Sequence, residues 1–160
     1  METVLKTTTS LKNAVRFRPG NRMWFRLTAK ETNNMVSVID IRMMPGSEPP
    51  RHIHQREDET IIIHEGTVTF FVGDNIINAK KDDIVFMPRL IPHHFVVTSQ
   101  SAHCTLIATP GGMEELFDAI SSPIDEQFVS ISERPSAEAI EKLVKAAGQF
   151  GMTFAKSSEF

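Results

Sequence analysis

GSEPPRHIHQREDETIIIHEG, residues 46–66, sets the pair His52 and His54, a carboxylate cluster and a β-branched run between two glycines. Thr60–Ile63 has the composition of a strand. His52 and His54 are one residue apart, and alternate side chains of an extended chain fall on one face, so their imidazoles point the same way. Glu59 shares parity with Ile61 and Ile63, which sets all three toward the same interior. Downstream, His93 follows a turn containing Pro88 and has the parity of Phe95 and Val97, leaving His94 on the opposite face. A histidine on a strand is ordinarily a surface or satisfied core residue. The spaced glutamate, the framing glycines and the third histidine make this group a ligand set instead. Three imidazoles and one carboxylate (His52, His54, Glu59, His93) suit one divalent transition-metal ion (Fe, Mn, Ni, Co, Cu or Zn) better than Mg or Ca. Four ligands on a six-coordinate ion leave two positions open, and an open position separates catalytic from closed structural sites.

Outward from this segment the chain reads as short strands broken by turn residues. Met23–Ala29 and Met35–Met44 precede it, with the turn signal Asn33-Asn34 between them. After Gly66, Val68, Phe70 and Val72 alternate with Thr67, Thr69 and Phe71. Gly73-Asp74 is a two-residue hairpin signal, Asp82-Asp83 marks another turn, and Ile84–Met87, Phe95–Thr98 and His103–Thr109 complete the series. Such spacing predicts an all-β antiparallel barrel or sandwich. At Pro110-Gly111-Gly112 the period changes. Met113, Leu116, Phe117 and Ile120 predict an amphipathic helix, and a second is expected from about Ser136 to Ala147, with Gly148 as its cap. The expected organisation is an N-terminal arm (1–20), a β-barrel domain (21–110) and a helical extension packed on it (111–160).

The 160 residues suit one domain, and hydrophobic and charged fractions of 41% and 23% are those of a globular chain. Cys104 is the only cysteine, so no intramolecular disulfide forms, and a reducing, cytoplasmic location is expected. No apolar run approaches the length of a membrane span, and METVLKTTTSLKNAV lacks the apolar stretch of a secretory signal. Net charge is −3, but residues 1–30 hold seven Lys/Arg against Glu2. These basic positions are spread out, which fits an arm on an acidic protein surface better than a nucleic-acid patch.

PGSEPPRHIHQREDETIIIHEG (45–66) and DDIVFMPRLIPHHFVV (82–97) resemble the two motifs of the cupin superfamily. The first fits at every defining position. The second keeps Pro88, Pro92 and His93, but has Asp82 where the family usually has glycine, Leu90 in place of the turn glycine, and Val97 where asparagine is frequent. With Arg56-Glu57-Asp58 and Pro110-Gly111-Gly112 before a helix, residues 35–150 are similar to single-domain cupins of the quercetin 2,3-dioxygenase kind. The resemblance implies a jelly-roll β-barrel, an internal metal held by His52, His54, Glu59 and His93, frequent dimers, and an acid/base role for Glu59.

The expected function is a metal-dependent oxygenase acting on a small organic substrate in a pocket of Ile61, Ile63, Phe70, Phe95 and Val97. The alternatives are a non-oxidative isomerase, cyclase or hydrolase, and a non-catalytic metal- or ligand-binding barrel. A homodimer is the expected assembly, with no nucleic-acid or membrane partner. Phe71 is a candidate dimer contact or a site covered by a terminal helix. His64 and His103 are expected off the metal, and Cys104 inside the core.

Overall fold

The structure, a computed structural model, describes residues 16–18, 20–123 and 137–154. Among these described residues, twelve strands are arranged in two antiparallel sheets. They are β1 (Arg16–Arg18), β2 (Asn21–Leu27), β3 (Ser37–Met43), β4 (His52–His54), β5 (Asp58–Glu65), β6 (Thr67–Val72), β7 (Asn75–Lys80), β8 (Ile84–Met87), β9 (His93–Val97), β10 (Ala102–Thr109), β11 (Ser122–Pro123) and β12 (Met152–Phe154). Two helices, α1 (Met113–Ile120) and α2 (Ala137–Gln149), follow β10. One sheet has the order β11-β1-β2-β3-β10-β5-β8 and the other β12-β4-β9-β6-β7. This is the jelly-roll barrel expected from the motifs.

The period of two decides what the sheets bury. In β3, Ile39 and Ile41 are buried between Val38, Asp40 and Arg42; in β5, Glu59, Ile61 and Ile63 are buried in the same alternation. Facing them from the second sheet are Val68 and Phe70 of β6 and Val97 of β9. Fully burying one such side chain contributes about 1.5–3 kcal/mol, so a one-residue slip of any central strand is excluded by the core it would expose.

Turn chemistry fixes the register. Gly73, at φ 57°, opens the two-residue turn that pairs Val72 with Asn75, and glycine at the first central position is the choice for such a hairpin. Gly66 sits at φ 83°, and a Cβ there would lie 2.3 Å from the Ser101 carbonyl oxygen. Only glycine lets β5 turn into β6 at this point.

Several boundaries differ from the sequence reading. The strand expected at Met23–Ala29 runs from Asn21 to Leu27, and Ala29 is instead buried in the following turn, its N–H donating to Glu114 Oε1 at 2.5 Å. Arg16–Arg18, read as the end of an arm, is a strand paired with β2 and β11; residues 1–15 lie outside the described residues. Gly148 does not cap α2, which continues through it to Gln149; the left-handed residue is Gly151, at φ 76°. The expected helix start at Ser136 is outside the described residues. No described helix is long and apolar enough to cross a membrane.

Candidate metal centre

Each ligand arrives on its own backbone logic. Strand β4 supplies His52 and His54, both buried, with Ile53 between them facing away. Strand β5 supplies Glu59, and β9 supplies His93 directly opposite His52 in the ladder. One donor atom from each of these four residues lies within 4.8 Å of the others, and all four residues are buried. The ring centroids of His52 stand 4.9 Å from His54 and 4.6 Å from His93, and those of His54 and His93 are 5.4 Å apart.

The tautomers are set from behind. His52 Nδ1 donates to the Pro50 carbonyl at 2.8 Å, and His93 Nδ1 donates to the Ile91 carbonyl at 2.9 Å. Committing Nδ1–H outward leaves Nε2 with a lone pair aimed inward, the arrangement that metal-binding histidines use. His93 Nε2 then faces Glu59 Oε2 at 3.1 Å, and His54 Nε2 lies 3.5 Å from Glu59 Oε1. Two lone-pair donors that close in a buried space need a cation or a proton between them. His54 Nε2 itself is buried without a hydrogen-bond partner. The donor set therefore fits a divalent metal ion.

Electrostatics follow from burial and the shared carboxylate. Burial, the largest influence, lowers the His52 pKa to about 4, against the attraction of Glu59. Burial also opposes charge on His54, but Glu59 and then Glu57 outweigh it and raise its pKa. The Glu57 carboxylate is 3.6 Å from His54 Nδ1, a charge contact longer than a hydrogen bond. Burial alone would raise the Glu59 pKa, yet His54, then His93 and His52, bring it down to about 2. Glu59 is thus an ionised carboxylate held among imidazoles.

Two supports were not visible in the sequence. Arg89, in the turn before β9, clasps Asp58 beside Glu59, with its backbone N–H donating to Oδ1 at 2.8 Å and Nη2 donating to Oδ2 at 2.6 Å. This clasp ties the two motifs together. Glu57, the buried partner behind His54, is the other. No periodicity signals either, because both lie in irregular segments. The two positions where the cupin motif usually has glycine, Asp82 and Leu90, both adopt the left-handed conformation, at φ 73° and 66°. The loop geometry is kept while the residue type is not, and the Leu90 N–H donates to the His54 carbonyl at 2.9 Å.

A cavity opens beside the cluster, with His52 and Glu59 in its wall. Of the five residues proposed for a substrate pocket, Ile61 and Phe95 line it. Ile63, Phe70 and Val97 are buried in the core instead and do not line it. His64, His103 and Phe71 fall outside it, and Cys104 lies in its wall. The rings of His64 and His103 lie 5.0 Å apart, tilted by 49°, and His64 Nε2 lies 2.7 Å from Thr105 Oγ1, on the face of the first sheet away from the core. Phe71 stacks on His94 with centroids 4.5 Å apart and planes 2° from parallel, so its cover is its own cross-strand neighbour. Cys104 is fully buried, which pushes its thiol up to about 12.

Residues 39–110 match the family model described as a cupin domain. Comparison with curated protein sequences returned no match. Among solved structures, the chain is similar to a predicted oxalate decarboxylase from Thermotoga maritima, with 17% identity and a TM-score of 0.59 over 65% of this chain and 99% of that one. It is similar to an RmlC-like cupin from Shewanella frigidimarina, with 16% identity and a TM-score of 0.59 over 72% and 99% of the two chains. It is also similar to KdgF from Halomonas sp., with 13% identity and a TM-score of 0.55 over 61% and 86%. These likenesses establish the cupin fold.

Proposed function

With a cupin domain over residues 39–110 as the premise, we propose that this protein is a metal-dependent enzyme, an oxygenase, acting on a small organic molecule at the His52–His54–Glu59–His93 centre. The observation that carries the reading is that His52 and Glu59 belong both to the ligand cluster and to the wall of an apolar cavity. A bound divalent transition-metal ion supplies Lewis acidity toward a substrate oxygen. Glu59, ionised and buried, accepts the proton that the substrate hydroxyl or enol gives up. His52 and His93 hold position through their backbone hydrogen bonds, and the apolar walls exclude water from the activated substrate.

The test begins with metal analysis of carefully purified protein, followed by oxygen uptake over a panel of flavonols and diketones. Turnover with stoichiometric oxygen consumption supports the oxygenase. Turnover without oxygen consumption refutes it in favour of an isomerase, cyclase, hydrolase or decarboxylase; a predicted oxalate decarboxylase is among the structural neighbours. His54→Ala is expected to strip the metal. Glu59→Gln is expected to keep it and lose turnover; equal turnover in the variant and the parent would end the proton-acceptor role.

A homodimer is part of the same proposal. Ile84 and Phe86 on β8, 65% and 56% exposed, pair with Ile62 and Thr60 of β5 at the open edge of the larger sheet, a surface suited to a second copy. Sedimentation velocity gives the mass directly, and a monomer at micromolar concentration would refute it.

A further inference from the structure

His52 and Glu59 account for the polar end of the cavity, but its walls carry separate information. Of the nineteen described residues that line it, fifteen are apolar. Several come from beyond the matched domain: Met113, Leu116 and Phe117 of α1, Leu143 of α2, and Met152 and Phe154 of β12. Strand β12 reaches the site by pairing with β4, which places Phe154 opposite His52 and Met152 opposite His54. Residues directly opposite in an antiparallel pair project to the same face, and the Phe154 ring stands 6.1 Å from the His52 ring at 47°. The Gln55 N–H donates to the Gly151 carbonyl at 2.9 Å and closes this pairing at its other end.

The two other polar lining residues face each other. Ser47 Oγ donates to Asn21 Oδ1 at 3.1 Å, and Asn21 Nδ2 donates to the Ser47 carbonyl at 3.3 Å. No Lys or Arg occurs among the described lining residues. A ligand charged along its length would lose its hydration against methionine, leucine and phenylalanine side chains without compensation, whereas an apolar body gains by leaving water.

We propose that Phe154 is a specificity-determining residue of this site, and that the wall it forms with α1 selects ligands whose body is uncharged and apolar and extends from the His52–Glu59 end beneath β12. The assignment of the polar end rests on reading the four-residue cluster as a metal centre; the apolar wall does not.

The test is calorimetric titration of the full-length chain, nickel-loaded and chelator-stripped, with 1-naphthol as the neutral apolar probe and oxalate as the charged one. Nickel content is measured for each variant. The expected result is at least about tenfold tighter binding of 1-naphthol than of oxalate. Phe154→Ala is expected to weaken 1-naphthol about tenfold at unchanged nickel content, and Phe154→Leu to restore much of the loss. Phe154→Arg is expected to shift the preference toward oxalate. Oxalate binding as tightly as 1-naphthol, or 1-naphthol affinity indifferent to Phe154→Ala, would overturn the proposal. A protein that takes up no nickel yet binds 1-naphthol in a Phe154-dependent way would leave this proposal standing and remove the metal reading.

Discussion

Leu90→Gly and Leu90→Ala, made side by side, isolate the cost of a side chain in the left-handed region beside the metal centre. Leu90 sits at φ 66°, and its N–H donates to the His54 carbonyl, so the ladder around β4 holds the conformation in place. A Cβ in that region costs about 1–2 kcal/mol. Leu90 is 58% exposed, so either truncation forfeits only part of the ~1.5–3 kcal/mol of a fully buried leucine. That loss is common to both variants and cancels between them. Glycine adds about 0.5–1 kcal/mol of unfolded-chain entropy relative to alanine. The difference is a net advantage of roughly 0.5–1 kcal/mol for Leu90→Gly over Leu90→Ala, the reverse of the usual order in regular structure. Urea unfolding followed by tryptophan fluorescence measures it; in a chain of this size the difference corresponds to roughly 1–4 °C in Tm. Alanine equal to or more stable than glycine would refute the strain at Leu90 and with it the account of how a cupin loop forms here without its glycine.

Gly66→Ala is expected to destabilise by about 3 kcal/mol or more, because φ is 83° and the new methyl meets the Ser101 carbonyl and Ser99 Oγ; thermal unfolding within a degree or two of the parent would contradict this. Glu114→Ala should cost about 3 kcal/mol, since it strands the Ala29 N–H and the Ser37 hydroxyl that the buried carboxylate accepts from, and an unchanged urea midpoint would count against that clasp. Metal-free protein should lose stability as pH falls from about 6.5 to about 4, because the unfolded chain protonates His52 at the upper value and the folded chain only near the lower. His94 and His103, also lowered, act in the same direction, while the raised His54 contributes fully below 6.5 and leaves that window unaffected. The His52 part is on the order of 3 kcal/mol, and His52→Gln should flatten the profile; an equally steep profile in that variant would refute the assignment. Glu59 takes over below about 4.5, where protonating the unfolded carboxylate removes the stability its lowered pKa confers.

What the sequence determined by itself is what local periodicity encodes. Alternation along a strand settles which side chains share a face, so His52 with His54, and Glu59 with Ile61 and Ile63, could be assigned to the interior from spacing alone. The Gly73-Asp74 hairpin and α1 were equally legible, because turn conformation and helical period belong to a few consecutive residues. Contacts between distant segments were not. That β12 would lie along β4 and set Phe154 over His52 has no local signature, since three residues of strand carry no record of their partner. Nor does the Arg89–Asp58 clasp, which links segments 31 residues apart. Two backbone details misled the local reading. Gly148 resembles a cap but remains in α2, which ends where Gly151 turns the chain toward β12. Leu90 carries no residue-type signal for the left-handed region, yet the hydrogen bond to His54 holds it there. Which residues line the cavity, as opposed to filling the core, was decided by sheet packing: Ile61 and Ile63 share parity and burial, yet only Ile61 reaches the space beside the metal ligands.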